Sequence, residues 1–478
     1  MKRIAAAIGL TVASTTIASA ADLPARVYTK APIAQVYDWT GFYLGANVGI
    51  GVSRGTGSQF IDTILTQNPS SVVGGTGAIG GGQLGYNWQA GNIVLGVETD
   101  IQGSGVHDNR TCTWECSAGI INAYDQRLDW FGTVRGRVGW ATGPVLGYVT
   151  GGLAYGDVKT DEMITSAAGS NHFSWDKIKT GWTIGGGMEA SLGGNWTGKI
   201  EYLYLDLGSQ SATQRLGNAA NLTASLDIRE HIFRAGVNYR FGDKPIVANT
   251  SVADWRGLYL GGNAGEGLAL SPSTYVVSSP PAIPGVDLYN LSPRGFIGGG
   301  QLGYNWQTGA FVFGLETDIQ GSTQRGGNAC VLDCMGGPLP IHAYLEQRMN
   351  WFGTTRGRLG YATGDSLFYV TGGLAYGDVV VNAHEVFETF TPFDGSLSHT
   401  KTGYTVGGGI ETKLNPFGLF GNNWSVKTEY LYVDLGTVTD GYRTTLGHFS
   451  ALDHVLTTHT EEHIFRTGLN YHFDSASP

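Results

Sequence analysis

The feature that most constrains this chain is an internal repeat. The block DWTGFYLG at 38 to 45 returns as DWRGLYLG at 254 to 261, and YVTGGLAYGDV at 148 to 158 returns unchanged at 369 to 379. The spacing between matched blocks changes only in the segments that join them, so insertions fall in connections. The repeat predicts two homologous domains, residues 38 to 242 and 254 to 474, with a linker at 243 to 253 and a C-terminal tail at 475 to 478.

The first 20 residues have the pattern of a secretory signal peptide. Lys2 and Arg3 precede an apolar run, and Ala18-Ser19-Ala20 supplies small residues at a cleavage site. No later stretch of the sequence approaches the roughly 18 consecutive apolar residues of a transmembrane helix. We therefore expect an exported chain with a periplasmic segment at residues 21 to 37, which is either soluble outside the cytoplasm or a membrane β-barrel.

Each repeat alternates apolar and polar residues with a period of two, which indicates strands with unlike faces. In the block 129 to 140, Trp130 and Val134 lie on one face, and Arg135 and Arg137 lie on the other. Residues 199 to 207 are ambiguous, because two tyrosines compete with three leucines for the outer face. Eight strands are predicted per repeat, in the first at about 41 to 53, 81 to 90, 93 to 103, 129 to 142, 145 to 159, 180 to 192, 195 to 208 and 230 to 242.

The predicted connections alternate between tight Gly-containing turns and gaps of about 20 to 28 residues. Outer-membrane barrels have short turns on the periplasmic rim and long loops on the other rim. Glycine, 75 of 478 residues, also fits a small barrel, because glycine in strands permits bends and close backbone approach. The sequence predicts an all-β fold of two tandem eight-stranded antiparallel transmembrane β-barrels, and one 16-stranded barrel is the alternative.

Ten of the 12 tryptophans fall at predicted strand ends. Membrane barrels place aromatic girdles there, whereas a soluble β-sandwich has no reason to do so. The predicted girdle consists of Trp39, Trp88, Trp130, Trp140, Trp182, Trp196, Trp255, Trp306, Trp351 and Trp424.

Charged residues gather on the strand face that points away from lipid. An eight-stranded barrel is just wide enough for its side chains to fill, so these charges are predicted to pair and plug the lumen. An ion path is the alternative and would need the 16-stranded barrel, which leaves an aqueous channel. The predicted network contains Glu98, Asp100, Arg135, Arg137, Glu189, Lys199, Glu201, Arg234 and Arg240, and in the second repeat Glu316, Asp318, Arg356, Arg358, Glu411, Lys427, Glu429 and Arg466, with His472 in the place of Arg240.

Four cysteines form two Cys-x-x-x-Cys pairs in matching predicted loops. Exported proteins meet oxidising conditions, so a local disulfide is expected in each loop. Zinc is disfavoured, because a structural zinc site needs four ligands, and no metal is predicted. The expected disulfides join Cys112 with Cys116 and Cys330 with Cys334.

Catalysis and nucleic-acid binding find little support. His231 beside Glu230 recurs as His463 beside Glu462, but no serine occupies a matching nearby position in both repeats. The net charge of −10 argues against a nucleic-acid partner, which would need a basic face. We predict no enzyme and no cofactor.

Several blocks resemble one family. ADLP at 21 to 24, YTKAP at 28 to 32, YDWTGFY at 37 to 43, RGRVG at 135 to 139, EYLY at 201 to 204 and NYRF at 238 to 241 are similar to the alphaproteobacterial small outer-membrane β-barrel proteins, the RopB-type or outer-membrane immunogenic protein family. The resemblance implies an eight-stranded surface barrel with roles in envelope integrity and host contact, and haem binding or pore activity in some relatives. Family members have one barrel where this chain has two. They end on an aromatic residue that the barrel-assembly machinery reads, which implies that role for Phe473, although five residues follow it.

We therefore expect a non-enzymatic integral protein of the outer membrane that supports the envelope and displays its loops outside the cell. One alternative is a passive diffusion porin, a single 16-stranded barrel with Arg135, Arg137 and their counterparts Arg356 and Arg358 lining the pore. A second is a surface protein that binds a ligand, for example haem, or a host partner through its long loops, with Trp114, Trp175 and the segment Cys112 to Cys116 as candidate contacts. The expected partners are outer-membrane lipid, lipopolysaccharide and the assembly machinery, and self-association into a homo-oligomer stays open.

Overall fold

The computed structural model describes residues 37–61, 67–111, 121–166, 169–216, 220–242, 252–278, 285–329, 341–387, 393–413, 423–445 and 451–473. The regular elements in these ranges are β-strands. In this part of the chain, no helix is long and apolar enough to cross a membrane.

The first repeat closes into an eight-stranded antiparallel ring, β1-β4-β5-β6-β7-β8-β9-β10, because β1 pairs with β4 on one side and with β10 on the other. A short hairpin of β2 and β3 adds to the edge of β10 beyond the ring. The strands are β1 Gly41–Ser53, β2 Gly55–Ile61, β3 Gln67–Val73, β4 Thr76–Ala90, β5 Ile93–Thr111, β6 Ile121–Thr142, β7 Val145–Ser166, β8 Gly169–Gly193, β9 Trp196–Leu216 and β10 Ala220–Arg240.

The second repeat closes in the same way, through the pairing of β11 with β13 and with β19. Both predicted eight-stranded barrels are therefore confirmed, and the alternative of one 16-stranded barrel is wrong, because each repeat pairs its last strand with its own first strand. The strands are β11 Gly257–Ser278, β12 Gly285–Leu291, β13 Arg294–Thr308, β14 Phe311–Ala329, β15 Ile341–Thr363, β16 Ser366–Phe387, β17 Phe393–Lys413, β18 Trp424–Thr445 and β19 Ala451–His472.

Each barrel has a short-turn end and a long-hairpin end. At the short-turn end, two-residue turns such as 91 to 92 and 143 to 144 join neighbouring strands. Gly91 and Gly143 have φ of 63° and 58° there, a left-handed conformation that glycine adopts at little cost. This end matches the predicted positions of the tight turns.

The long-hairpin end differs from the prediction. β6 begins at Ile121, β7 ends at Ser166 and β8 begins at Gly169, well beyond the predicted bounds. Gln126 pairs with Thr160, and Thr160 in turn pairs with Trp175, inside segments that the sequence predicted to be loops. The prediction of long irregular loops is wrong in the described residues, because backbone donors and acceptors there pair in continuing hairpins instead of remaining open.

The outward face of each ring is an apolar band. Side chains of alternate strand residues stand exposed on it, whereas their neighbours along the strand are buried in the lumen, as in a half-buried strand. Members of this band include Leu44, Val48, Leu95, Val97, Val134, Val138, Val149 and Leu153 in the first barrel and Leu260, Phe313, Leu315, Val370, Leu374 and Val406 in the second.

The inner face of each barrel is apolar towards the long-hairpin end. Leu203, Leu205 and Leu207 are buried in the first lumen, which resolves the ambiguous block in favour of Tyr202 and Tyr204 facing outward. This inner apolar layer contains Ile79, Val106, Leu128, Phe131, Ala154, Val158, Leu203, Leu205, Leu207, Ile228 and Ile232 in the first barrel, and Ile297, Met349, Phe352, Ala375, Val379, Leu431, Val433, Leu435, Val438 and Ile464 in the second.

Candidate functional site in the barrel lumen

A charge network fills the middle of the first lumen, next to the apolar layer. Arg135 projects inward from β6 because it alternates with the outward residues Val134 and Gly136. Its guanidinium contacts Glu98, lies 2.9 Å from Asp100 Oδ2 and donates to Glu201 Oε1 at 3.0 Å. One base therefore joins carboxylates from two different strands.

Two further bases complete the centre of this network. Lys199 Nζ lies 3.0 Å from both carboxylate oxygens of Glu98. Arg234 Nη2 lies 2.9 Å from Asp100 Oδ2 and 2.6 Å from Glu201 Oε2. These side chains are at least 98% buried. Each charge is therefore stabilised by its ion-pair and hydrogen-bond partners and not by water.

A second group of contacts lies nearer the short-turn end. Arg137 Nη1 donates to Glu189 Oε2 at 3.1 Å, and its Nε donates to Asn87 Oδ1 at 2.8 Å. Thr197 and Asn238 donate to the other oxygen of Glu189, at 2.5 Å and 2.9 Å. Neutral amide and hydroxyl groups thus satisfy the oxygen of Glu189 that Arg137 does not bind.

The second barrel repeats the main ion pairs of the network. Arg356 contacts Glu316 at 2.5 Å and Asp318 at 3.0 Å, and Lys427 Nζ lies 2.9 Å from Glu316 Oε1. Arg466 lies 2.8 Å from Asp318 Oδ2 and 2.7 Å from Glu429 Oε1, and Arg358 lies 2.7 Å from Glu411 Oε2. Residues of matching type therefore meet in both lumens, as the sequence predicted that they would pair.

Arg240 contacts the segment that precedes β1. Its guanidinium stands 5.2 Å from the ring centroids of both Tyr37 and Trp39, and it donates to the backbone carbonyl of Asp38. The residue sits at the end of β10 beside the segment that enters the barrel, and its place in the charge network stays a prediction. In the second repeat His472 lies 3.2 Å from Glu411.

Two tyrosines in each lumen belong to the site, although the sequence did not predict them as site residues. Tyr43 donates its hydroxyl proton to Glu98 Oε2 at 2.8 Å, and Tyr148 donates to Glu201 Oε1 at 2.9 Å. Tyr259 and Tyr369 do the same in the second barrel. Strand alternation was the available signal, because these tyrosines share the inward parity of their strands.

The opening at the short-turn end is closed by an aromatic plug in each barrel. Trp39 and Trp255 are fully buried, so their assignment to the girdle is wrong. Both residues precede the first strand of their barrel, where strand alternation does not apply, and the chain turns inward. Trp39 Nε1 donates to the Gly143 carbonyl at 3.1 Å, and the Lys413 ammonium lies 5.0 Å from the Trp255 ring centroid.

The other predicted girdle residues lie at the surface or half-buried. Trp88, Trp140, Trp182, Trp196 and Trp306 are exposed. Trp130, Trp351 and Trp424 are half-buried. Several pack on neighbouring rings, as in Trp88 with Tyr86 at 4.6 Å and Trp196 with Tyr239 at 5.2 Å between ring centroids.

The remaining predicted sites are placed as follows. Phe473 follows β19, is exposed and packs edge-on against Tyr471 at 5.2 Å. Trp175 is half-buried on β8 beside Phe173. Within the described residues, no group of three or more His, Cys, Asp or Glu is arranged to hold a metal ion. Outside the described residues lie Trp114, Cys112, Cys116, Cys330 and Cys334.

The recurring histidine and glutamate pairs lie on opposite faces of their strands. His231 Nδ1 lies 2.8 Å from the Tyr202 hydroxyl on the outer face, whereas Glu230 is buried in the lumen. His463 and Tyr430 form the same pair in the second barrel, also at 2.8 Å. Neither histidine therefore shares a site with the glutamate next to it in sequence.

A closed antiparallel ring with an apolar outer band, exposed aromatics and a charge-filled lumen defines the class of outer-membrane β-barrel proteins. The family model for the outer membrane protein beta-barrel domain matches this chain twice, over residues 7–241 and 246–473. The chain belongs to that family, and it is a protein of the cell outer membrane.

Individual relatives agree with this assignment. The 31 kDa outer-membrane immunogenic protein of Brucella melitensis biotype 1 is 40% identical over 218 residues, which cover 45% of this chain and 88% of the relative. The 22 kDa outer membrane protein of Rhizobium leguminosarum bv. viciae is 37% identical over 181 residues, which cover 38% of this chain and 70% of the relative. The resemblance to the alphaproteobacterial outer-membrane immunogenic proteins is thereby confirmed.

Solved structures of bacterial proteins are also similar to this chain. Neisserial surface protein A is 13% identical, with a TM-score of 0.22, and the match covers 42% of this chain and 98% of that protein. The Pseudomonas putida toluene transporter TodX is 11% identical, with a TM-score of 0.27, and the match covers 91% of this chain and 90% of that protein. TM-scores this low carry no argument about the function of this chain.

Proposed function

We propose that this chain is a structural protein of the outer membrane, made of two sealed barrels that support the envelope and hold long hairpins at the cell surface. The observation that carries this proposal is the filling of both lumens by paired charges and apolar side chains. The proposal includes no catalytic site and no cofactor. Residues 1 to 20 would serve as the export signal, as the sequence analysis predicts.

Three successive layers along the lumen support a sealed barrel. The aromatic plug occupies the short-turn end, the charge network occupies the middle, and the inner apolar layer occupies the long-hairpin side. Phe131 and Leu203, both fully buried, belong to the last layer. An ion crossing such a lumen would have to separate buried ion pairs and then pass an apolar layer, and each step is costly.

The proposed partners follow from the two surfaces of the barrel. The apolar band would contact outer-membrane lipid and lipopolysaccharide, and short turns of such barrels lie on the periplasmic side. The assembly machinery would read the aromatic end of β19 at Phe473, which is exposed. The hairpin ends would then project outside the cell.

A deletion strain tests the envelope role. We expect cells that lack the chain to become more sensitive to detergent and to large antibiotics that an intact outer membrane excludes, and the full chain to restore resistance. A matched variant with the hairpins shortened beyond Gln126 and Thr160 keeps all three lumen layers and separates the two proposed roles. Restored resistance by that variant supports a role for the barrels themselves. Unchanged sensitivity after deletion of the chain would contradict the proposal.

A further inference from the structure

Part of the outward face of each barrel is buried. On β1, the outward residues Val48 and Val52 differ in exposure, at 69% and 0%. On β10, Val237 is 42% exposed and Phe233 only 5%. Lumen contacts cannot bury these outward side chains, so a second surface must cover them. That surface is the other barrel, and both barrels belong to one compact unit of the chain.

Aromatic rings from both barrels meet at the centre of this contact. Tyr202 of the first barrel stacks on Phe465 of the second, with 5.7 Å between ring centroids. In the reciprocal contact, Phe233 of the first barrel lies 5.1 Å from Tyr430 of the second. Phe233 and Phe465 lie 6.5 Å apart. Residue i of one repeat thus contacts residue j of the other, and the reverse contact also occurs, which is the signature of an isologous interface.

A close approach of an aromatic ring of the second barrel to the backbone of the first marks a second part of the contact. A Cβ atom on Gly198 of β9 would lie 2.6 Å from Cε1 of Phe368 on β16. Ile200 and Met188 of the first barrel pack with Ile410 of the second around this point. Apolar surfaces gain little by leaving lipid, so association inside a membrane depends on close packing at small residues, as Gly198 provides.

The same outward face also carries polar side chains, which a surface in contact with lipid would not be expected to carry. Glu266 holds the β11 position that Ile50 holds on β1, because each pairs with the equivalent phenylalanine of the last strand. It lines a cavity of about 180 Å³ together with Tyr202 and His231 of the first barrel. A carboxylate on the lipid face destabilises a barrel, so its position here indicates a surface that lipid does not cover.

Two hydrogen bonds join the barrels near the long-hairpin end. Arg54 Nη2 of the first barrel donates to the Ser292 carbonyl at 3.0 Å. Asn290 Nδ2 of the second barrel donates to the Gly74 carbonyl at 3.0 Å. These directional contacts add orientation to the apolar packing.

We propose that the outward faces of β8, β9, β10 and β1 in the first barrel and of β16, β17, β18, β19 and β11 in the second form a specific interface that holds the two barrels side by side in the membrane. The partner of each face is the other half of the same chain. The interface does not depend on the linker, and its isologous form closes the pair, so this face is not available for binding a second chain. The proposal stands independently of the envelope role.

Cleavage of the folded full chain tests this interface. A protease site is introduced into the predicted linker, residues 243 to 253, and the purified protein is cut in detergent. We expect the two halves to remain together in size-exclusion chromatography with light scattering, and to migrate as folded barrels on unheated gels. Separation of the unmodified halves after cleavage would overturn the proposal.

A matched pair of glycine variants locates the contact. Gly198→Leu places a side chain against Phe368, whereas Gly136→Leu adds the same side chain on β6, where nothing lies within 4 Å. Neither glycine has a positive φ. We expect Gly198→Leu to raise the dissociation constant of the cleaved halves by about tenfold or more, the effect of overpacking by 1.4 kcal/mol, and Gly136→Leu to leave it unchanged. Equal constants for the two variants would overturn the proposal.

A second pair covers the case in which Gly198→Leu does not fold. Phe368→Ala removes the ring that packs on Gly198, and Phe313→Ala removes a lipid-facing ring that is 51% exposed. We expect only Phe368→Ala to weaken the association of the halves. If both alanine variants leave the dissociation constant of the halves unchanged, the packing of Phe368 on Gly198 does not hold the barrels together, and the proposal is overturned.

Discussion

Glu98 shows at the scale of one residue why the charges of the lumen are bound to one another. Its carboxylate accepts hydrogen bonds from Lys199 and Tyr43 and contacts Arg135, with almost no exposure. A buried ion pair adds little net stability compared with an apolar pair, but the loss of one partner leaves an uncompensated charge. The network is therefore sensitive to any single neutral substitution.

Glu98→Gln should destabilise the first barrel by about 3 to 5 kcal/mol, because it leaves Lys199 without its close carboxylate. The measurement is the free energy of unfolding of the full chain in urea, with the protein refolded in detergent. Asp453→Asn serves as the control, since Asp453 pairs with Arg443 on an exposed part of β19, and the urea midpoint should not change. Equal shifts for the two variants would show that the buried network does not carry this stability.

Gly85 makes room for Tyr43 on the neighbouring strand. The two residues are direct partners in the pairing of β1 with β4, and a Cβ on Gly85 would lie 2.2 Å from the Tyr43 hydroxyl oxygen. The tyrosine ring covers the bare glycine and reaches Glu98, an arrangement that also occurs for Tyr259 over Gly303. Glycine is thus required here by close approach.

Gly85→Ala should cost about 1 to 3 kcal/mol, because the added methyl group displaces the Tyr43 ring from the lumen. Thermal unfolding followed by the loss of the fast-migrating form on unheated gels would measure it. Gly136→Ala provides the comparison, because its Cβ meets nothing within 4 Å. A similar melting temperature for the two alanine variants would rule out the close approach as the reason for Gly85.

At the scale of elements, the segment before β1 acts as part of the barrel core. Tyr37 and Trp39 pack with Val94, Ala141 and Leu146 inside the short-turn end. The backbone N–H of Trp39 also donates a hydrogen bond to the side-chain oxygen Oε1 of Gln89 at 2.6 Å, which holds this residue in place. A segment outside the strands thereby closes one opening of the lumen.

Trp39→Ala should lower the free energy of unfolding by about 3 to 5 kcal/mol, the range for removing a buried aromatic side chain. Trp88→Ala is the matched control, because Trp88 lies on the outward face at 51% exposure and leaves no internal cavity. Chemical unfolding of both variants in the same detergent would compare them. Equal losses would contradict an internal plug at Trp39.

Strand alternation predicted the barrel and most of its charge network, because the membrane and the lumen impose unlike environments on the two faces. Arg135 and Glu201 are examples, and both lie where their parity places them. Beyond the apolar band that contrast ends, so the extensions of β6 and β7 have no comparable pattern. Trp39 was misassigned to the girdle for a related reason, because it lies before the first strand, where the alternation of the ring does not apply.

Packing inside the lumen determines which face the residues point to where strand alternation alone is ambiguous. The charge network fills the middle of the lumen, and the space above it needs apolar volume, which Leu203 and Leu205 supply. Between Leu128 and Trp130 a register shift in the pairing of β6 with β7 lets Leu128 point inward, against the period of two that places Phe131 and Arg135 in the lumen. Such a bulge cannot be read from the sequence pattern alone.

At the scale of the whole molecule, the repeat encodes two barrels that close independently. β11 pairs with β19 along almost its full length, from Tyr259 with His472 to Ser278 with Asp453. All eight ring strands of the second barrel come from the second repeat. The second repeat therefore contains every backbone partner that its own ring requires.

Residues 254 to 478 expressed alone should refold in detergent and migrate faster on unheated gels than after boiling. The physical reason is that the β11–β19 pairing closes the ring without any strand from the first repeat. Circular dichroism would check the strand content of the same sample. Failure of this half to refold, with the full chain refolding under the same conditions, would mean that the repeats depend on each other for closure.

The sealed lumen is the central claim, and single-channel recording of the purified full chain in a planar bilayer tests it most directly. The plug at Trp39, the network around Arg135 and the apolar layer at Phe131 together predict insertion without steady open conductance. The second barrel predicts the same through Trp255, Arg356 and Phe352. A steady, reproducible open conductance from the correctly folded protein would contradict the account.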